Sequence, residues 1–286
     1  MYKGIIKEMS SRVASVIINT LFPRRCAVCG KIISNRNDDK YNKKNADKSR
    51  KKYSGNESTC QNSEREYTGE NEDKSRLICS ECEEGLLYIK EPTCKKCGRQ
   101  LKDETKVYCD SCSMAQFSFD RGISVFIYGD LIRKSIHDFK YHNRRENAEF
   151  YGMAIMENCG KLINLWQPDA LIPVPIHKKR YIKRGYNQSE VLAESITKYT
   201  GVRTVSDAVC RIKKTKPQKN LDKSERENNL RNAFAVKMSK LEGIKTVILI
   251  DDIYTTGSTI DSLARMLRAA GVQNIYFICL STSVTI

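Results

Sequence analysis

The chain has 286 residues, 40% of them hydrophobic, and its 50 Lys and Arg against 34 Asp and Glu give a formal net charge of +16. That length holds one large or two modest domains with an adequate core, which excludes a wholly disordered chain. The positive balance suits phosphorylated ligands or nucleic acid, with a solvated lysine-rich surface as the bland alternative; no apolar run is long enough to span a bilayer, which argues against integral membrane association.

Residues 1–22 predict a short N-terminal helix. Its most apolar part, 13–22, is broken by Ser15, Asn19 and Thr20, and Pro23-Arg24-Arg25 follows in place of a small-residue cleavage site. It therefore reads as a helix packed on the protein rather than a signal peptide, and a cytoplasmic location is expected.

Cysteines come next. Eight of the 12 fall in four C-x-x-C pairs: Cys26/Cys29, Cys79/Cys82, Cys94/Cys97 and Cys109/Cys112. Each pair can grip one side of a tetrahedral Zn²⁺, and two pairs close a four-thiolate site. Sequential pairing gives Cys26, Cys29, Cys79 and Cys82 for one zinc and Cys94, Cys97, Cys109 and Cys112 for another; a crossed arrangement satisfies the spacing too. Redox use is the rival, but a dithiol redox site needs one pair beside a strand and helix, not four in a polar region. Residues 35–75 are rich in Lys, Asn, Ser and Glu and read as a disordered insertion, with Cys60 a free thiol inside it.

Beyond the cysteines the pattern alternates strand and helix. An apolar strand at 123–128 leads into a helix bearing Leu131, Ile132, Ile136 and Phe139, then a basic, aromatic-bearing segment at 140–145 and a helix at 147–165. A second strand at 170–175 ends in prolines and meets a basic loop that includes His177, Arg180 and Arg184. Arg forks there suit the oxygens of a pyrophosphate, and His177 reads as a phosphate contact or a bystander. Asn187 or Ser189 caps the next helix, which ends at Gly201. A strand at 204–212 and a long polar segment at 213–234, read as a lid, follow.

The most specific stretch is Val247-Ile248-Leu249-Ile250-Asp251-Asp252-Ile253-Tyr254-Thr255-Thr256-Gly257-Ser258-Thr259. A fully apolar strand at 246–250 delivers two carboxylates to its carboxyl end, where open α/β sheets bind ligands. Hydroxyls and backbone N–H groups around Gly257 then meet the N-terminus of a helix bearing Ile260, Leu263, Ala264 and Leu267, a ready anion site. A last strand spans 273–280.

This stretch resembles the phosphoribosyl pyrophosphate (PRPP) signature of type I phosphoribosyltransferases. The resemblance implies that Asp251 and Asp252 take the ribose 2′- and 3′-hydroxyls, directly or near Mg²⁺. It implies too that Thr255, Thr256, Gly257, Ser258 and Thr259 cradle the 5′-phosphate. The lysine of a nucleoside triphosphate P-loop is lacking. The whole order of features resembles the ComF/ComFC competence family: ribbon cysteines, Arg184-Gly185-Tyr186-Asn187-Gln188, a lid ending in Asn232-Ala233-Phe234, and the PRPP signature. That resemblance implies a double zinc ribbon at 23–114, interrupted by the insertion. After it, at 115–286, comes an α/β domain with a type I phosphoribosyltransferase-like parallel sheet flanked by helices. It also implies a role in natural transformation, handling single-stranded DNA in the cytoplasm with a competence helicase as partner.

Two classes of function follow. In one, an acceptor displaces pyrophosphate at C1 of PRPP, with Mg²⁺, Arg180 and Arg184 stabilising the charge. In the other, a non-catalytic adaptor binds single-stranded DNA in a cationic groove with Tyr141 and Tyr186 as stacking rings. A nucleobase-salvage phosphoribosyltransferase is a third reading, disfavoured by the ribbon, and no base-recognition segment follows the last strand.

Overall fold

The computed structural model describes residues 23–33, 77–212 and 233–283. The expected N-terminal helix, the insertion with Cys60 and nearly all of the expected lid lie outside them. The chain separates into two compact units, Met1–Cys26 with Gly30–Glu83 and Ala27–Cys29 with Glu84–Ile286.

In the first unit, Arg25 and Ile32 form an antiparallel bridge. Cys26 N–H donates to Lys31 O at 2.8 Å and Gly30 N–H to Cys26 O at 2.9 Å. The chain turns at Gly30, whose φ of 78° only glycine adopts cheaply. Helix α1, Ser80–Gly85, starts directly after Cys79.

The second unit repeats that knuckle. Cys94 N–H donates to Arg99 O and Gly98 N–H to Cys94 O, both at 2.8 Å, and Gly98 has φ 69°. Helix α2, Asp110–Met114, begins after Cys109. The sheet follows: β1 Arg121–Ile127, β2 Ala170–Pro173, β5 Thr246–Tyr254 and β6 Asn274–Thr282, all parallel, in the order β1-β6-β5-β2. Strands β3 Val209–Arg211 and β4 Phe234–Val236 form a separate antiparallel pair. Helices α3 Asp130–Tyr141, α4 Asn147–Trp166, α5 Lys178–Arg184, α6 Gln188–Thr200 and α7 Ser258–Ala269 belong to the same unit.

Val247, Ile248, Leu249 and Ile250 are wholly buried, as a central strand covered on both faces requires. Val247 and Leu249 share one core with Leu263 and Leu267 of α7 and with Cys94, Cys97, Leu101 and Cys109 of the second ribbon. Phe119 meets Phe277 edge-on at 5.0 Å within it. Helices α4 and α6 pack together, α6 against β2 and β5, α4 against β1. Gly152 sits where they cross: a Cβ there would lie 2.2 Å from Ser195 Oγ. Glycine at this position is thus what lets α6 approach.

Both edges of the sheet carry a short extra bridge. Tyr88 bridges Phe126 on the β1 edge, with Ile89 N–H donating to Val125 O and Ile127 N–H to Leu87 O. Thr204 bridges Leu171 on the β2 edge, with Leu171 N–H donating to Arg203 O and Val205 N–H to Leu171 O.

Three expectations change. The strand expected at 246–250 continues to Tyr254, because pairing with β6 persists through Tyr254 and Thr282 after the apolar run ends. The strand expected at 204–212 narrows to Val209–Arg211, with Thr204 closing the β2 edge instead. The basic loop after β2 is helix α5. His177 is its N-cap, Nδ1 accepting from Lys179 N–H at 3.2 Å, and Gly185 ends it at φ 79°.

Candidate functional site

The eight paired cysteines assemble sequentially, in two groups whose Sγ atoms lie within 4.8 Å of one another: Cys26, Cys29, Cys79 and Cys82, and Cys94, Cys97, Cys109 and Cys112. A tetrahedral ion with Zn–S bonds near 2.3 Å needs sulfurs about 3.8 Å apart; Cys97 Sγ and Cys109 Sγ stand 3.7 Å apart. In the first group Cys79 N–H donates to Cys26 Sγ at 3.4 Å, which stabilises a thiolate. The donor sets fit two structural zinc ions, with no open ligand position for catalysis.

The candidate site is a cavity of about 470 Å³ at the carboxyl end of β5. It is lined by Asp251, Asp252, Thr255, Gly257, Ser258 and Thr259, with Arg180 from α5. Sequence reasoning brings these residues to one place, and the fold does so. Two expected members are placed differently. Thr256 lies in the same loop between Thr255 and Gly257, its Oγ1 turned to Ser258 Oγ at 2.9 Å. Arg184 donates to Tyr141 Oη at 3.0 Å, its guanidinium 4.7 Å over that ring; neither residue is among those lining the cavity.

The fold adds residues that sequence reasoning did not select. Lys140, at the end of α3, places Nζ 2.5 Å from Asp252 Oδ2. Its one sequence signal is the basic stretch it opens. Arg211, at the end of β3, also lines the cavity, and burial lowers its pKa, with Arg180 nearby adding to the effect. Ser189 at the start of α6 donates Oγ–H to Asp251 Oδ1 at 3.2 Å. Asn187 is the cap, its Oδ1 accepting from Ser189 N–H at 3.2 Å. Gln188 is almost fully buried against the cavity, and its Nε2 has no hydrogen-bond partner among the described residues.

Asp251 accepts from Asp252 N–H at 2.9 Å as well as from Ser189. Burial and then the neighbouring Asp252 charge push its pKa up to about 7, while Lys140 and the Ser189 hydroxyl pull the other way. Two adjacent carboxylates with three cations around them suit a ligand that combines hydroxyls, a divalent metal and phosphates. At the other side of the cavity, Gly257 (φ 80°) is the N-cap of α7. Tyr254 backs it: a Cβ at Gly257 would meet Tyr254 Oη at 2.6 Å.

Such a sheet, with a carboxylate pair and a hydroxyl- and glycine-bearing loop before a helix at its central strand, defines a phosphoribosyltransferase-like α/β protein, here carrying zinc-ribbon cysteines. Comparison with known proteins agrees with the ribbon and gives the family. A family model described as "Double zinc ribbon domain" matches residues 59–113, a span that starts beyond Cys26 and Cys29. "Competence protein F" of Haemophilus influenzae is 31% identical over 203 residues, 69% of this chain and 87% of that protein. "DNA utilization protein YhgH" of Escherichia coli K12 is 28% identical over 206 residues, 71% of this chain and 89% of that one. "Competence protein ComFC" of Bacillus subtilis is 29% identical over 204 residues, 68% and 79% of the two chains. The chain belongs to the ComF/ComFC family. Among solved structures, the purine phosphoribosyltransferase of Pyrococcus horikoshii is similar over 48% of this chain and 73% of that one, at 15% identity and a TM-score of 0.25. No described helix is long and apolar enough to cross a membrane.

Proposed function

We propose that this protein binds PRPP with Mg²⁺ in the β5 cavity and uses that capacity in handling DNA during competence. The observation that carries the ligand is the convergence of Asp251, Asp252, the loop residues Thr255, Gly257, Ser258 and Thr259, and Lys140, Arg180 and Arg211 on one cavity. The carboxylates offer hard oxygen ligands of the kind Mg²⁺ takes, together with acceptors for ribose hydroxyls. Bound Mg²⁺ supplies charge neutralisation to the pyrophosphate. The chain's own groups do the rest. The loop and the α7 N-terminus hold the 5′-phosphate, and Arg180, Arg211 and Lys140 face the pyrophosphate. In a transfer reaction an acceptor attacks C1 as the C1–O bond to pyrophosphate breaks, and those cations take up the leaving charge.

The DNA role rests on the relatives' names and on the surface beside the cavity. Helix α5 holds Lys178, Lys179, Arg180, Lys183 and Arg184 within seven residues. Exposed Tyr181 lies among them, and Tyr141 stacks under Arg184. Cations interleaved with rings suit single-stranded DNA. Tyr186 does not serve as such a ring, because it is buried and its hydroxyl donates to Phe139 O. On this reading the protein works in the cytoplasm beside a competence helicase. A non-catalytic DNA adaptor is the second reading, and the same helix favours it.

Calorimetric titration of PRPP into zinc-loaded protein, with and without Mg²⁺, tests the site. Binding that needs Mg²⁺ and is lost in Asp251→Asn/Asp252→Asn is expected. Absence of binding to the folded protein would leave the DNA adaptor as the better account.

A further inference from the structure

The loop expected to hold the 5′-phosphate is fastened from behind by a side chain of the second zinc ribbon. Arg99 lies two residues after the ligand Cys97 and is only 7% exposed. Its Nη2 donates to Thr255 O at 2.6 Å, and its guanidinium sits 5.7 Å from the Tyr254 ring centroid. Tyr254 is the residue packed under Gly257, and it stacks on Phe277 at 4.7 Å. Thus one buried cation touches both the first carbonyl of the loop and the ring that supports its glycine.

Arg99 is itself held at its backbone by the metal knuckle, since Arg99 O accepts from Cys94 N–H at 2.8 Å. The knuckle is docked on β1: Gly122 N–H donates to Lys96 O at 2.8 Å, and a Cβ on Gly98 would lie 2.5 Å from Gly122 O. The mount leaves no space even for a methyl group.

The chemistry follows from the peptide plane. In a trans peptide the carbonyl and the next N–H point in opposite directions. Arg99 holds the Thr255 carbonyl toward the ribbon, so Thr256 N–H faces away from it. Without Arg99 the Thr255–Thr256 peptide is free to flip and to present an oxygen where an anion needs a donor. A guanidinium–carbonyl bond in a buried setting is among the stronger neutral-acceptor hydrogen bonds.

We infer that Arg99 is a positioning residue for the anion loop, and that the second zinc ribbon is the rigid mount from which it acts, so that a phosphate monoester in the β5 cavity is read by a loop set by the metal knuckle. The identity of the ligand rests on the function proposed above; the fastening of the loop does not.

Two measurements on the full zinc-loaded chain separate these. The first is hydrogen exchange across residues 254–259 without ligand, comparing wild type, Arg99→Met and Arg99→Lys, with zinc content determined for each. Arg99→Met keeps the apolar stem and is expected to speed exchange in this segment while retaining zinc; Arg99→Lys is expected to restore part of the protection. The second is titration with PRPP and Mg²⁺, where Arg99→Met should weaken binding about 10- to 100-fold, as loss of a charged hydrogen bond implies. Unchanged exchange in both variants overturns the inference whatever PRPP does. Wild-type binding that Arg99→Met leaves unaltered overturns it as well. Faster exchange in a protein whose wild type fails to bind PRPP removes the ligand assignment and sustains the fastening.

Discussion

Lys140 Nζ and Asp252 Oδ2 meet at 2.5 Å across the mouth of the β5 cavity, with side chains 18% and 13% exposed. The pair joins the last turn of α3 to the central strand. In the free protein it supplies, from the chain itself, a positive charge beside the two carboxylates.

Removing one member leaves the other charge buried without its partner. Lys140→Met should cost ~1–3 kcal/mol of stability, while Lys140→Met in an Asp252→Asn background should cost much less. Urea denaturation of the four proteins gives the coupling directly. Additive effects would mean that the ion pair contributes nothing to the fold.

The Asp251 carboxyl, pushed up to about 7 in the folded protein, lies well above the ordinary value near 3.9. Between those values the folded state holds a proton that the unfolded chain has released. Stability therefore falls as pH rises from about 4 to about 7 and is level beyond. Asp251→Asn removes that slope. The variant should gain ~1–3 kcal/mol over wild type at pH 8 and nothing near pH 4. A gain of equal size at both ends would rule out titration of this residue as the cause.

Metal analysis of purified protein should return two zinc ions per chain, from the two groups of four thiolates. Cys109→Ser should lose one of them. Because Cys94, Cys97 and Cys109 sit in the same core as β5 and α7, its melting temperature should fall by several degrees or more. A single zinc in the wild type, or iron in its place, would contradict the assignment.

The sequence carried the strand-loop-helix around Asp251 because local chemistry decides it: an apolar run, two acids, then hydroxyls about Gly257. The zinc sets were legible for the same reason, since each C-x-x-C is a complete half-site, and the fold chose the sequential pairing. Lys140, Arg211 and Arg99 were not legible. They lie far along the chain from Asp251, and only tertiary packing brings Lys140 of α3 and Arg211 of the separate β3–β4 pair to its cavity, and Arg99 of the ribbon, docked on β1, to the loop that follows it. Arg180 and Arg184 show the limit at short range. Both stand in one basic run, but α5 sends Arg180 to the cavity and Arg184 to Tyr141. Residues four apart share one face of a helix, so spacing alone does not divide them; the division comes from their neighbours, with Tyr141 of α3 beside Arg184 and the carboxyl end of β5 beside Arg180.

The bridges at the two sheet margins bear on how this protein behaves in a crowded solution. An unpaired strand margin is a template for another molecule's strand. Here Leu87–Ile89 occupies the margin of β1 and Arg203–Val205 that of β2. The β1 cover is continuous in sequence with the metal-binding knuckles, so stripping the metal would do more than loosen a small module. It is expected to loosen the cover of β1 and leave that margin open to another molecule's strand, which light scattering of the metal-free protein beside the zinc-loaded protein would detect.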